Sequence, residues 1–192
     1  MFTGIITHLG KFERNEKEKF FFSASASFLD MLHSSDSVAV NGTCLTVVKK
    51  TKGEFLVNLM PETVKRTMLG TLLPKTVVNL ELPATPRSFL AGHIVQGHID
   101  GIGTLSKMEK KGSSRVLEIV VERKLMRYIV DQGSVAVNGI SLTVIEAKQK
   151  SFTFGIIPYT WEHTMLKGIK LGDKVNIEVD ILAKYAEKIS KY

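Results

Sequence analysis

The chain is poor in several residue types, and each shortage removes a class of protein. One cysteine in 192 residues, Cys44, closes no internal disulfide. That excludes a cross-linked mini-scaffold and fits a reducing, cytoplasmic setting. No apolar run approaches the ~20 residues that span a bilayer, and the apolar start Met1 to Ile6 lacks the basic and extended apolar regions of a signal peptide. A soluble protein with no membrane partner is expected. There is no Gly-x-Gly-x-x-Gly fingerprint and no Gly-x-x-x-x-Gly-Lys-Ser/Thr loop, Gly101-Ile-Gly103 being too short, so a phosphate cradle is unsupported. The net charge of +7 invites nucleic acid. Its lysines, however, are mixed with acids, as in Glu16-Lys-Glu-Lys19, and aromatics are not interleaved with them, so the charge reads as a solvated surface and nucleic acid is not expected.

What the chain does have is a repeat. Ser37-Val-Ala-Val-Asn-Gly-Thr-Cys-Leu-Thr-Val47 returns as Ser134-Val-Ala-Val-Asn-Gly-Ile-Ser-Leu-Thr-Val144, a shift of 97 (134 − 37). The same shift relates Phe55 to Phe152, Pro61 to Pro158, Thr67-Met68-Leu69 to Thr164-Met165-Leu166, and Gly4-Ile5 to Gly101-Ile102. Such a period is a whole small domain, duplicated in register without a gap. Two related sites follow, and residues that differ between the halves become the informative ones.

Most local signals are strand. Phe20 to Phe28 and Arg115 to Glu122 read as extended. Asn41-Gly42 and Asn138-Gly139, each between β-branched runs, read as hairpin turns, because both residues tolerate positive φ. Phe28 to His33 and Leu125 to Val130 read as one short helix per half. Many short strands with little helix predict an all-β fold, a small closed antiparallel barrel made twice. The units are placed at 1–97 and 98–180, with 181–192 as a terminal helix. In that helix Ile181, Leu182, Tyr185, Ile189 and Tyr192 share one stripe. The stripe needs a cover, either the chain itself or another subunit, and subunit assembly is the reading taken.

Cys44 stands opposite Ser141 across the repeat, Glu62 opposite Tyr159, and Lys65-Arg66 opposite Glu162-His163. His93 and His98 occur only at the junction. Their spacing matches no fixed ligand set, so no metal is expected. Met60-Pro-Glu-Thr63 and Ile157-Pro-Tyr-Thr160 follow strand-like runs. Their polar groups, with Thr67 and Thr164, suit either recognition of a flat heterocycle or helix capping. Thr46 and Thr143 suit a strand as well as a site.

Met1-Phe-Thr-Gly-Ile-Ile6, Val40-Asn-Gly-Thr-Cys-Leu-Thr-Val47, Leu59-Met-Pro-Glu-Thr63, Gly92-His-Ile-Val-Gln-Gly-His-Ile-Asp-Gly101 and Val137-Asn-Gly-Ile-Ser-Leu-Thr-Val144 occur in that order. Together they resemble the riboflavin synthase family over essentially the whole chain. The resemblance implies two six-stranded Greek-key barrels, a C-terminal helix and a homotrimer with active sites between subunits. It also allows association with lumazine synthase. The implied reaction transfers a four-carbon unit between two molecules of 6,7-dimethyl-8-ribityllumazine, giving riboflavin and a pyrimidinedione with no metal or redox cofactor. By resemblance, Cys44, Leu45, Thr46 and the strand Leu59, Met60, Pro61, Glu62, Thr63 hold one lumazine. Ser141, Leu142, Thr143 and the strand Ile156, Ile157, Pro158, Tyr159, Thr160 hold the other, with Gln132 nearby. Gly4-Ile5-Ile6 and Gly97-His98-Ile99 complete the pockets. His98 is the candidate for proton transfer, since histidine ordinarily titrates near neutrality, and Cys44 or Ser141 for nucleophilic assistance. The family often carries Asp where this chain has Asn138 and Lys where it has Gln132, departures that put a ribityl contact or a proton relay in question. A non-catalytic lumazine- or flavin-binding protein on the same fold is the alternative.

Overall fold

The computed structural model describes residues 1–191. The first unit consists of β1 (His8–Glu16), β2 (Lys19–Ala24), α1 (Ala26–Met31), β3 (Ser37–Val40), β4 (Thr43–Lys50), β5 (Glu54–Asn58), α2 (Pro61–Arg66) and β6 (Val77–Glu81). The second runs through β7 (Gly101–Lys111), β8 (Ser114–Val120), α3 (Arg123–Met126), β9 (Ser134–Val137), β10 (Ile140–Ala147), β11 (Ser151–Ile156), α4 (Pro158–His163) and β12 (Lys174–Val179), and α5 (Ile181–Ile189) follows. Each unit is a closed six-stranded antiparallel barrel, ordered β1-β2-β5-β4-β3-β6 and β7-β8-β11-β10-β9-β12. Both Asn-Gly pairs make the expected turns, with φ of 45° and 76° at Asn41-Gly42 and 47° and 77° at Asn138-Gly139.

The duplication is not gapless. Phe22 pairs with Phe55 and Ile119 with Phe152, a shift of 97 (119 − 22). In the first strands, however, Gly10 opposes Val78 and Gly103 opposes Val175, a shift of 93 (103 − 10). The β7–β8 hairpin is the longer one and absorbs the difference. Gly4 therefore corresponds to Gly97, not to Gly101. Two helices per half replace the one expected. Neither α2 nor α4 shows an amphipathic period, because α2 buries no residue and α4 only Trp161. Phe28 belongs to α1, which Ser25 caps by accepting from the Phe28 N–H, so β2 stops at Ala24.

Alternation places Val38, Val40, Leu45, Val47, Phe55 and Val57 inside the first barrel, together with Phe12, Phe22 and Phe28. The second barrel fills equivalent space largely with aliphatics, Leu105, Ile119 and Leu125 standing where those three phenylalanines stand. The barrels meet through a two-fold set of buried amides. Asn41 Oδ1 accepts from Asn79 N, and Asn138 Oδ1 from Asn176 N, each at 2.8 Å. Across the interface Asn79 Nδ2 donates to the Asn138 carbonyl at 2.9 Å and Asn176 Nδ2 to the Asn41 carbonyl at 2.8 Å. Asn79 Oδ1 and Asn176 Oδ1 in turn accept from Met165 N and Met68 N, each at 2.7 Å. A buried polar set stabilises only when its members are satisfied, and here both backbone and side-chain groups are paired across the boundary.

Helix α5 rests on the second barrel by its polar side. Lys184 pairs with Asp100 at 2.6 Å, Arg127 with Glu187 at 3.0 Å, and the Tyr128 hydroxyl donates to Glu187 at 2.5 Å. Leu182, Tyr185 and Ile189 face outward, all more than half exposed. Tyr192, the last residue of the expected stripe, lies outside the described residues. Among the described residues no helix is long and apolar enough to cross a membrane.

Candidate active site

The segments that precede the two barrels are exchanged. Phe2 N donates to Val95 O at 2.6 Å and Val95 N to Phe2 O at 3.1 Å, tying the segments side by side. Gly4 O then accepts from Ser141 N of the second barrel at 2.8 Å, and Gly97 O accepts from Cys44 N of the first at 2.9 Å. Ile6 goes on to pack against the second barrel's core. The expected unit boundary at 97/98 falls within one of these segments.

Glycine is required at both crossings. Gly4 and Gly97 have φ of +77° and +83°, and a Cβ would lie 2.6 Å from the Ser141 Cβ and 2.5 Å from the Cys44 Cβ. A buried carboxylate holds each crossing in place. Glu81 accepts from Thr3 N at 2.7 Å, Thr3 Oγ1 at 2.8 Å and Gly4 N at 3.2 Å. Glu178 accepts from Gln96 N at 2.6 Å, Gly97 N at 2.9 Å and His98 N at 3.1 Å. Burial raises both carboxyls above their ordinary range, Glu178 to about 7, although the backbone N–H groups pull the other way. Sequence reading missed both glutamates. Their shift of 97 within matched strands was the available signal, but glutamate at a strand end reads as surface charge.

The exchange brings Cys44 together with Thr63, Thr67, Gly97, His98 and Ile99 around a shallow pocket of about 180 Å³. On β4 and β10 the pleat turns Cys44 with Thr46, and Ser141 with Thr143, toward the outer face, while Leu45 and Leu142 point into the barrel cores. The two leucines therefore have only backbone to offer a ligand. Leu59 and Ile156 are likewise buried. The segments Met60 to Thr63 and Ile157 to Thr160 are not strands. Each enters a helix with proline in its first turn, because a proline ring cannot donate to a ladder but suits a helix start. Met60, Ile157 and Tyr159 are well exposed. Glu62 pairs with Arg66, and Tyr159 stacks on His163 at 4.1 Å. Thr67 and Thr164 cap short 3-10 turns and donate to the carbonyls of Thr63 and Thr160 at 2.7 and 2.8 Å.

His93 and His98 part company. His98 is exposed beside Cys44, whereas His93 is buried with Nδ1 2.7 Å from Ser141 Oγ. Gln132 is an exposed turn residue at φ 61° whose N–H bonds Val144 O at 2.9 Å. Asn138 is fully buried in the inter-barrel amide set, where a carboxylate would face the Met165 sulfur that its Nδ2 now contacts at 3.3 Å. Its amide is thus part of the packing between the barrels. A larger groove of about 580 Å³ runs along Ile5, His8 and the linker 82–91. It contains neither Cys44 nor Ser141.

A profile described as the lumazine binding domain matches residues 3–83 and again 96–180. The riboflavin synthase of Actinobacillus pleuropneumoniae is 41% identical, covering 98% of this chain and 89% of its own length. That of Mycobacterium tuberculosis H37Rv is 40% identical over 100% and 98%, and that of Bacillus subtilis 37% over 96% and 87%. The chain belongs to the riboflavin synthase family. Its two halves are the family's two lumazine-binding repeats, and the matched ranges start within the exchanged segments. Among solved structures, LumP complexed with riboflavin superimposes with a TM-score of 0.85 at 21% identity, covering 93% of this chain and 99% of that one. At that identity the likeness establishes the fold.

Proposed function

We propose that the chain catalyses the dismutation of two 6,7-dimethyl-8-ribityllumazine molecules into riboflavin and 5-amino-6-ribitylaminopyrimidinedione. The observation that carries this reading is the pair of exchanged half-sites, each built from one repeated strand and the other repeat's leading segment. A reaction between two copies of one molecule calls for two related sites. Holding the rings together makes the encounter effectively unimolecular, an effect worth on the order of 7–11 kcal/mol.

One lumazine lies against Cys44, Thr46 and the first turn of α2, the other against Ser141, Thr143 and the first turn of α4. Each also takes backbone contacts from Gly97-His98-Ile99 or Gly4-Ile5-Ile6. His98 takes the proton from the C7 methyl of one ring, a step for which general-base help is worth about 10²–10⁴-fold. Cys44 or Ser141 assists addition at the other ring. Both half-sites are open on the barrel exterior, and the outward apolar stripe of α5 offers a subunit contact. These features support a homotrimer in which a neighbour's barrel closes each site. The lone thiol fits a cytoplasmic enzyme, and docking to lumazine synthase belongs to the same expectation.

The test is incubation of the protein with the lumazine and a chelator, following riboflavin by absorbance and chromatography. Riboflavin at half the moles of lumazine consumed is expected. Tight binding without turnover would instead establish a carrier, and His98→Ala or Cys44→Ala variants with full turnover would remove those side chains from the mechanism.

A further inference from the structure

Glu81 and Glu178 hold the two crossings alike, but the crossing that carries His98 is also tied to a helix. Asp100, two residues past His98, donates its N–H to Ile177 O at 2.9 Å and accepts from Val179 N through Oδ2 at 3.0 Å. These bonds close the segment onto the end of β12. The other carboxylate oxygen, Oδ1, receives Lys184 Nζ of α5 at 2.6 Å. We propose that Asp100 and Lys184 are positioning residues for the first half-site, their ion pair transmitting the seating of α5 to the segment Gly97-His98-Ile99 that lines the Cys44 pocket. The inference rests on the function proposed above, which gives that segment its part in the reaction.

The repeat shows that this pair is an addition to the shared frame. By the shift of 93 between the crossings (97 − 4), Asp100 corresponds to Thr7, whose hydroxyl lies 3.0 Å from Nδ1 of its neighbour His8. By the shift of 97 between the last strands (178 − 81), Lys184 corresponds to Arg87, which lies in the linker and not in a helix. The first crossing thus looks onto the open groove that Thr7 lines with the linker, while the second is clamped by opposite charges. The clamp is well made. The Lys184 and Asp100 side chains are only 27% and 20% exposed, so water and salt screen them less than a surface pair. A carboxylate bonded to backbone through one oxygen and to an ammonium through the other has little freedom to turn, and charge-assisted bonds are the strong ones. Lys184 also acts on Glu178. Burial is the first cause of the rise in that carboxyl and Asp100 adds to it, whereas Lys184 opposes it. Removing the lysine leaves two carboxyl groups facing each other beneath the crossing. Arg127 and Tyr128 still hold α5 further along through Glu187, so the helix stays attached while its link to the pocket is cut.

The test compares full-length wild type with Lys184→Met, Lys184→Arg, Asp100→Asn, the double variant Lys184→Met/Asp100→Asn and Arg87→Met. We would measure amide hydrogen exchange segment by segment, together with kcat and KM. Exchange reads local opening whether or not the protein turns over. Lys184→Met should speed exchange at residues 96–100 and leave residues 3–7 unmoved. Its kcat should fall about 10-fold with a smaller change in KM, since an ångström of misplacement can cost on the order of 10²-fold. Arginine also pairs with a carboxylate, so Lys184→Arg should restore both readings. The double variant should be no slower than the slower single one, as for two residues that act as a unit. Arg87→Met, at the corresponding place in the linker, should match wild type. Unmoved exchange at 96–100 in Lys184→Met, or an unchanged kcat, overturns the inference. Equal acceleration at 3–7 does the same, because it marks general loosening, and so do losses that add in the double variant. If Asp100→Asn does not fold, having weakened the hold on Val179 N, the Lys184 variants decide alone. If wild type makes no riboflavin, the proposed reaction falls, and the exchange pattern still shows whether α5 and the crossing are linked.

Discussion

Cys44 and Ser141 occupy the same place on the same repeated strand, each receives its partner segment's carbonyl, and each lies against a glycine at positive φ. Beyond that backbone frame they differ. The serine has an imidazole 2.7 Å from its oxygen, while the thiol has beside it an exposed histidine on the crossing segment. Duplication thus supplied two copies of one cradle, and divergence of a few side chains separated their chemistry. In the reaction proposed here the symmetric part holds two similar ligands, and the asymmetric part gives them different roles.

The strongest way to break the comparison is at the crossings. Gly97→Ala places a Cβ against Cys44 and forces an L residue to φ +83°, and Gly4→Ala does the same against Ser141. Displacing a ligand-holding segment by about an ångström can cost on the order of 10²-fold in rate. Both variants should lose about that much in riboflavin formation while keeping their barrels by circular dichroism. If only one of them is impaired, the two half-sites are not both needed and a single-ligand carrier becomes the better description.

The carboxylates under the crossings sharpen the same comparison through pH. In the folded chain the Glu178 carboxyl is raised to about 7 from its ordinary 4.5, by burial first and with Asp100 adding to the rise. Between those values the folded state keeps a proton that the unfolded state has released, so this group's contribution to stability is lost as pH rises through the window. Thermal unfolding should therefore come at a lower temperature at pH 8 than at pH 5.5, and Glu178→Gln should flatten the slope. Glu81 is raised too, but Thr3 offers it a hydroxyl as well as an N–H, so Glu81→Gln should flatten it less. An unchanged slope in Glu178→Gln would show that the carboxyl titrates elsewhere.

Much of this was legible in the residues, and the reasons for the rest are physical. Alternation and Asn-Gly turns carry the barrels, because a half-buried strand must alternate and a tight turn must take positive φ. The exchange of leading segments carries no such period. Identity of Gly4-Ile5 with Gly101-Ile102 suggested a gapless repeat, and only strand register assigns Gly97 as the true partner of Gly4. Helices α2 and α4 were hidden because a helix that buries almost nothing leaves no stripe. His93 was visible as a residue, but its bond to Ser141 spans 48 positions and depends on the exchange.

The smallest effect lies in the amide set between the barrels, where the symmetry fails at one atom. Asn176 Nδ2 donates both to the Asn41 carbonyl and, at 3.1 Å, to Thr43 Oγ1. Its counterpart Asn79 faces a position where Thr43 is replaced by Ile140, a buried member of the second barrel's core. Thr43→Val keeps the shape and removes the second acceptor, so it should cost about 1 kcal/mol, or roughly 2–4 °C in Tm for a chain of this size. The reverse change, Ile140→Thr, offers Asn79 a second acceptor but gives up buried apolar surface. Those two effects are of similar size and should nearly cancel. A Thr43→Val chain as stable as wild type would mean that the extra bond contributes nothing, and that threonine and isoleucine differ here only in how they fill the boundary between the barrels.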